Sequence, residues 1–142
     1  MSINHKIVLS YIKDLSVETP DPESLIVARE RVSEYGLNLD ISSKPLKNKM
    51  IEVYTKLIYR DKEKSKKKTY FEMLYSTVVQ IEDGNPDKEK LKKFIFCDLQ
   101  IEIYPDIQKK FIEILKLSGF PKINISGNVN FEKLYSEKLI QK

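Results

Sequence analysis

Two acids four positions apart, Asp14 and Glu18, carry the clearest chemistry this sequence offers. They lie in Tyr11-Ile12-Lys13-Asp14-Leu15-Ser16-Val17-Glu18-Thr19-Pro20, where polar residues alternate with Leu15 and Val17. Successive side chains of a strand point to opposite faces, so Asp14, Ser16 and Glu18 share one face and Leu15 and Val17 the other. Carboxylates displayed on a strand, with no nucleophile–base pair beside them, read as a solvated sheet face or as a surface that a partner touches. The chain has one histidine, His5, and one cysteine, Cys97, which excludes an intramolecular disulfide and leaves no ordinary zinc site. No Gly-rich phosphate loop and no catalytic carboxylate pair stands out. These residues point to a binding protein without cofactor or metal, not to an enzyme.

The elements that must position the acids follow from periodicity. Leu9, Tyr11, Leu15 and Val17 mark a first strand, in which the irregular Ile12-Lys13 step allows a bulge, and Pro20 and Pro22 stop it. Glu23 to Tyr35 reads as locally helical or as a long crossover. Leu37, Leu39 and Ile41 alternate with Asn38, Asp40 and Ser42, a half-buried second strand, and Pro45 to Asn48 makes a turn. In the third strand Ile51, Val53, Thr55, Leu57 and Tyr59 share a face opposite Glu52, Lys56 and Arg60. A fourth strand runs from about Lys68 to Ile81, with Phe71, Met73, Tyr75, Thr77 and Val79 on its bulky face and Glu72 on the other. Asp83-Gly84-Asn85-Pro86 breaks it.

The second half turns helical. Leu91, Phe94 and Ile95 share one side of Asp87 to Phe96, and Pro105 is expected to interrupt or begin a helix. Ile107, Phe111, Ile114 and Leu115 then form an amphipathic stripe that Gly119 closes, with Pro121 soon after. Asn130 is placed to cap a last helix with Phe131, Leu134, Tyr135 and Leu139 on one face. Strands first and helices after imply an α+β fold: a four-stranded antiparallel sheet followed by two principal helices packed on one face. The 142 residues are expected to form one domain, residues 1–142, large enough for a core and small enough to gain from oligomerisation. No apolar run reaches the roughly 18–20 residues that a membrane helix needs. The start, Met1-Ser2-Ile3-Asn4-His5-Lys6, lacks a secretion-signal pattern, so the expected location is cytoplasmic.

The net charge of +4 is local. Arg60 to Lys68 holds six basic and two acidic side chains, which accounts for the whole excess. That segment reads as a solvated hairpin tip, with a contact to acidic clients, RNA or anionic lipid as the sharper alternative.

Two stretches resemble the SecB family of bacterial protein-export chaperones. One is Tyr11–Pro20. The other is Gly119-Phe120-Pro121-Lys122-Ile123-Asn124-Ile125 with Asn128-Val129-Asn130-Phe131-Glu132-Lys133-Leu134-Tyr135. The strand pattern and Tyr104-Pro105 fall between them in the family's order, so the resemblance runs from about Tyr11 to Leu139. It departs at a basic pI near 9.0, where the family is acidic, and at Ser76 and Thr77, where the family has paired glycines. The resemblance implies a homotetramer, a dimer of dimers, that holds unfolded precursor proteins and delivers them to the SecA motor. Matched by motif, the SecA-contacting acids are Asp14, Glu18 and Glu72, and the oligomer-interface positions are Phe71, Met73 and Tyr75. By family position, Leu25 to Val32 would wall a client groove. Two other readings share the layout: a SecB-like chaperone of a toxin–antitoxin system, and a small basic RNA-binding or structural oligomer.

Overall fold

Proline and capping chemistry set the first boundary. Strand β1, His5–Glu18, ends before Pro20, and Asp21 caps helix α1, Pro22–Glu30. The Asp21 Oδ1 accepts from the Ser24 backbone N–H and from its hydroxyl, each at 2.7 Å. A single tight turn, Val32–Glu34, follows, and Tyr35 begins β2 (Tyr35–Pro45). The helical reading of Glu23 to Tyr35 is thus too long. The chain is a computed structural model and describes residues 3–63, 69–82, 84–121 and 129–140, of which 138–140 are described by backbone alone.

Strands β3 (Met50–Asp61) and β4 (Tyr70–Ile81) complete one antiparallel sheet of order β1-β4-β3-β2. The β2–β3 turn has both Asn48 and Lys49 at positive φ, the twist that a tight hairpin prefers. Because β1 and β2 lie at opposite edges, α1 and the turn after it carry the chain across the width of the sheet. The local helix and the crossover are therefore the same segment.

Helix α2 (Lys88–Lys93) is capped by Asp87, and a wide turn, Phe94–Asp98, leads into α3 (Leu99–Leu117). Pro105 lies inside α3, where an interruption or a start was expected. The helix runs through it because Pro105 and Ile101, whose carbonyl loses its intrahelical partner, both lie on the exposed side. Gly119 closes α3 as expected, at φ +83°. The Phe120 N–H reaches back to the Leu115 carbonyl at 3.0 Å and the Gly119 N–H to Lys116 at 3.1 Å, a Schellman stop. Asn130 caps α4 (Phe131–Ile140) through its side chain and the Lys133 N–H at 3.0 Å. On α4 Phe131 is buried, Leu134 is exposed, and the side chain of Leu139 lies outside the described residues.

One face of the sheet is the core. Val53, Thr55, Leu57 and Tyr59 of β3 and Phe71, Met73, Tyr75 and Val79 of β4 lie buried with Leu99, Ile107, Phe111 and Leu115. Gly119 turns Phe120 back into this layer. The Phe120 ring centroid sits 5.1 Å from Tyr35, 5.6 Å from Tyr59 and 5.3 Å from Phe71. The second family-like stretch is thus a staple: a left-handed glycine that aims an aromatic ring into the core. The other side of the sheet is left open by the helices.

Candidate functional site

Strand register decides which acids meet. Ser16 pairs with Glu72, Asp14 with Leu74 and Glu18 with Tyr70, so Asp14, Ser16, Glu18 and Glu72 share the open face. Asp14 and Glu18 are exposed and Glu72 is half-buried. Leu15 and Val17 pair with Met73 and Phe71 on the helix side. The parity read from the sequence holds, yet neither apolar side chain is buried. Leu15 is 42% and Val17 39% exposed, because β1 is an edge strand that the helices do not cover.

The acids of the open face differ in their freedom. Glu72 Oε1 accepts from the Tyr70 hydroxyl at 2.6 Å and lies 3.8 Å from Lys56 Nζ. Burial and that bond to Glu72 push the Tyr70 phenol up to about 12. With Lys13 and Lys56 on the same face as the carboxylates, a partner meets both signs of charge, and Asp14 and Glu18 are the exposed acids of the set.

At the centre of the face lies a group to which the sequence reading gave no role. Glu52 of β3 is 7% exposed. Its Oε2 accepts from the Tyr11 hydroxyl at 2.7 Å and the Ser76 hydroxyl at 2.7 Å, and its Oε1 from the Tyr54 hydroxyl at 2.8 Å. Lys13 Nζ stands 3.5 Å from the same carboxylate, 3.2 Å from the Tyr54 hydroxyl and 4.8 Å from that ring's centroid. The Ser76 bond first, then those from Tyr11 and Tyr54, hold the carboxyl at about 2, against the burial that opposes ionisation. A partial signal was present: Glu52 lies near the start of β3, opposite Val78 and diagonal to Ser76, and the small Ser76 side chain leaves room for the glutamate to reach across β4.

Phe71, Met73 and Tyr75, the positions matched to assembly, lie in the chain's own core, and the first two are fully buried. Tyr75 adds its ring to Lys110 of α3, with Nζ 5.6 Å from the centroid. The side chains of Phe71, Met73 and Tyr75 face α3 and not the surface of the chain, where contact with another copy would require them.

Two further places bear on function. Leu39, Ile41, Phe96, Leu134 and Tyr135, with the acids Asp40 and Glu137, line a cavity of about 210 Å³ between β2 and α4. The crossover expected to wall a groove is anchored by Arg31, whose Nε lies 2.6 Å and Nη2 3.1 Å from the buried Asp61 carboxylate. Residues 64–68 of the basic tip lie outside the described residues, as do Lys122–Asn128. Among the described residues no cluster of three or more potential metal ligands occurs, and no helix is long and apolar enough to cross a membrane.

Comparison with known proteins places this geometry. The sequence model described as "SecB: Preprotein translocase subunit SecB" matches residues 2–142. A putative protein-export protein SecB of Pelagibacter ubique is 40% identical over 138 residues, 97% of this chain and 99% of its own length. The protein-export protein SecB of Verminephrobacter eiseniae is 24% identical, covering 92% of this chain and 84% of its own. Among solved structures, the SecB-like chaperone of Mycobacterium tuberculosis in complex with an antitoxin peptide superposes with a TM-score of 0.61 at 11% identity. It covers 84% of this chain and 87% of that one, and shares the fold. A match along nearly the whole chain, a 40% identical relative and the four-stranded sheet with helices on one face agree: the chain belongs to the SecB family.

Proposed function

We propose that this chain is an export chaperone that holds unfolded precursor proteins in the cytoplasm, as a homotetramer, and hands them to the SecA motor. The observation that carries this reading beyond family membership is the apolar surface left open on one element. Ile7, Val8, Leu9, Tyr11, Ile12, Leu15 and Val17 are all exposed along β1, an edge strand with unpaired backbone groups. Such an edge demands cover, and natural proteins seldom leave one bare. A second copy would satisfy it in the assembly. Extended apolar segments of an unfolded client suit the remaining open surface, such as the cavity between β2 and α4, because binding there needs no fixed client sequence.

The holding activity is tested by light scattering from an unfolded client diluted into buffer with the purified chain, alongside a native mass measurement. Suppression of aggregation at near-stoichiometric chaperone, by a particle of four chains, is the expected result. A monomer that leaves aggregation unchanged would overturn the reading.

Docking to the motor is assigned to Asp14, Glu18 and Glu72 on the open face. Exposed carboxylates mainly set encounter rate and specificity. Charge reversal of Asp14 and Glu72 to lysine is expected to weaken binding to purified SecA by about tenfold at low salt, with the oligomer intact. Equal affinity of variant and parent in low-salt calorimetry would remove these acids from the docking site. The antitoxin-chaperone alternative gains nothing from the Mycobacterium tuberculosis neighbour, since that likeness carries the fold alone. The RNA-binding alternative rests on the basic tip, most of which lies outside the described residues.

A further inference from the structure

Asp14 and Glu18 reach the open face only because β1 contains a fault at Lys13. Ile12 opposes Tyr75, on the helix side of the sheet. Strict alternation from there would put Lys13 on the open side, Asp14 on the helix side and Leu15 on the open side. Pairing instead resumes at Asp14 with Leu74, so Lys13 is an extra residue without a partner in β4. Every later side chain of the strand changes face as a result. Without the bulge, Leu15 and Val17 would face the docking partner and the two acids would be turned to the helix side.

We propose that Lys13 is a positioning residue, locked onto Glu52 and Tyr54, that holds the bulge and so sets Asp14, Ser16 and Glu18 beside Glu72. The functional consequence rests on the docking reading above; the structural content does not. A bulge gives up regular pairing, and side-chain contacts outside the ladder can offset that loss. Here the extra residue itself and Tyr11, two positions before it, are tied to one carboxylate two strands away. Tyr11 donates to Glu52 Oε2 at 2.7 Å, and Lys13 reaches the same oxygen at 3.5 Å and the Tyr54 hydroxyl at 3.2 Å. Tyr54 in turn donates to Glu52 Oε1, which fixes both anchors of the ammonium in one rigid group. Ser76 lies between on β4 and donates to Glu52 Oε2 at 2.7 Å, and its small side chain leaves the path across the strand open. The other irregularity of β1, between Ile7 and Leu9, has the apolar Val8 as its extra residue, so no equivalent polar lock is available there.

The register can be read directly by nuclear magnetic resonance on the full chain. Cross-strand contacts between Ser16 and Glu72 report the bulged strand, and contacts between Leu15 and Glu72 report a regular one. Lys13→Met removes only the ammonium of a partly exposed side chain, and it is expected to show both sets of contacts. Lys13→Arg is expected to restore the single bulged set. Affinity for purified SecA should fall about tenfold in Lys13→Met and return in Lys13→Arg. Ser16–Glu72 contacts alone in Lys13→Met, and again alone in Lys13→Met combined with Glu52→Gln, would overturn the proposal; where the combination does not fold, the single variant decides. A register that shifts while SecA affinity stays constant would sustain the positioning role and overturn the docking reading.

Discussion

Phe71→Ala is expected to lower the free energy of unfolding by about 3–5 kcal/mol. Phe71 is fully buried within one chain. Its ring meets Phe120 at 5.3 Å and 81° and Tyr59 at 6.4 Å, so truncation removes edge-to-face contacts as well as apolar area. The site collapses poorly because its neighbours are held from elsewhere. Phe120 is fixed by the Gly119 turn, whose glycine position a Cβ would bring within 3.2 Å of Leu25. Tyr59 is paired on both sides, with Leu37 of β2 and with Phe71 of β4. Urea unfolding at several protein concentrations measures the change and separates it from any loss of assembly. The core position predicts that stability falls and that assembly weakens with it. Dissociation of the oligomer with a change below about 1 kcal/mol in the protomer would instead mean that the ring touches another copy.

The same residue shows how far the sequence could be read. The bulky face of β4 was legible from its alternation, as were the β2 and β3 faces, the Gly119 stop and the Asn130 cap. Each of these is written in local side-chain chemistry. What covers a face is not local. Phe71, Met73 and Tyr75 belong under α3, while the equally apolar Leu15 and Val17 lie open, and both sets alternate in the same way along their strands. The difference comes from strand order, since β4 is interior and β1 an edge, and order is set by the crossover of α1. Pro105 misled for a related reason: its cost depends on whether the freed carbonyl is exposed, and only the packed helix decides that. Among the site residues, the parity of Asp14 and Glu18 was legible because the Tyr11–Pro20 segment carries its own alternation. Glu52 escaped notice since its partners Tyr11, Lys13 and Ser76 are brought to it from two other strands.

That long-range cluster governs the second large effect, the loss of stability in acid. The Glu52 carboxyl is held at about 2 in the folded chain, against an ordinary value of 4.5, first by the Ser76 hydroxyl and then by Tyr11, Tyr54 and Lys13. A carboxyl whose folded value is depressed adds stability above its unfolded value and surrenders it as pH falls through the folded one. For Glu52 the window therefore runs from about pH 4.5 down to about pH 2. The shift corresponds to about 2–3 kcal/mol at neutral pH, after allowance for the partial exposure of Lys13. Glu52→Gln keeps the shape but no longer ionises, and its amide N–H groups oppose hydroxyls that need an acceptor. The variant is expected to be less stable than the parent by about 2 kcal/mol at neutral pH, with the gap closing as the parent is acidified through that window. Urea midpoints compared from neutral pH down to about pH 3 measure the convergence. Parallel curves for parent and variant over that range would mean that the tyrosines, the serine and the lysine contribute nothing through the charge of Glu52. The lock on Lys13 would then need another anchor than this carboxylate, and Tyr54 is the one within reach at 3.2 Å.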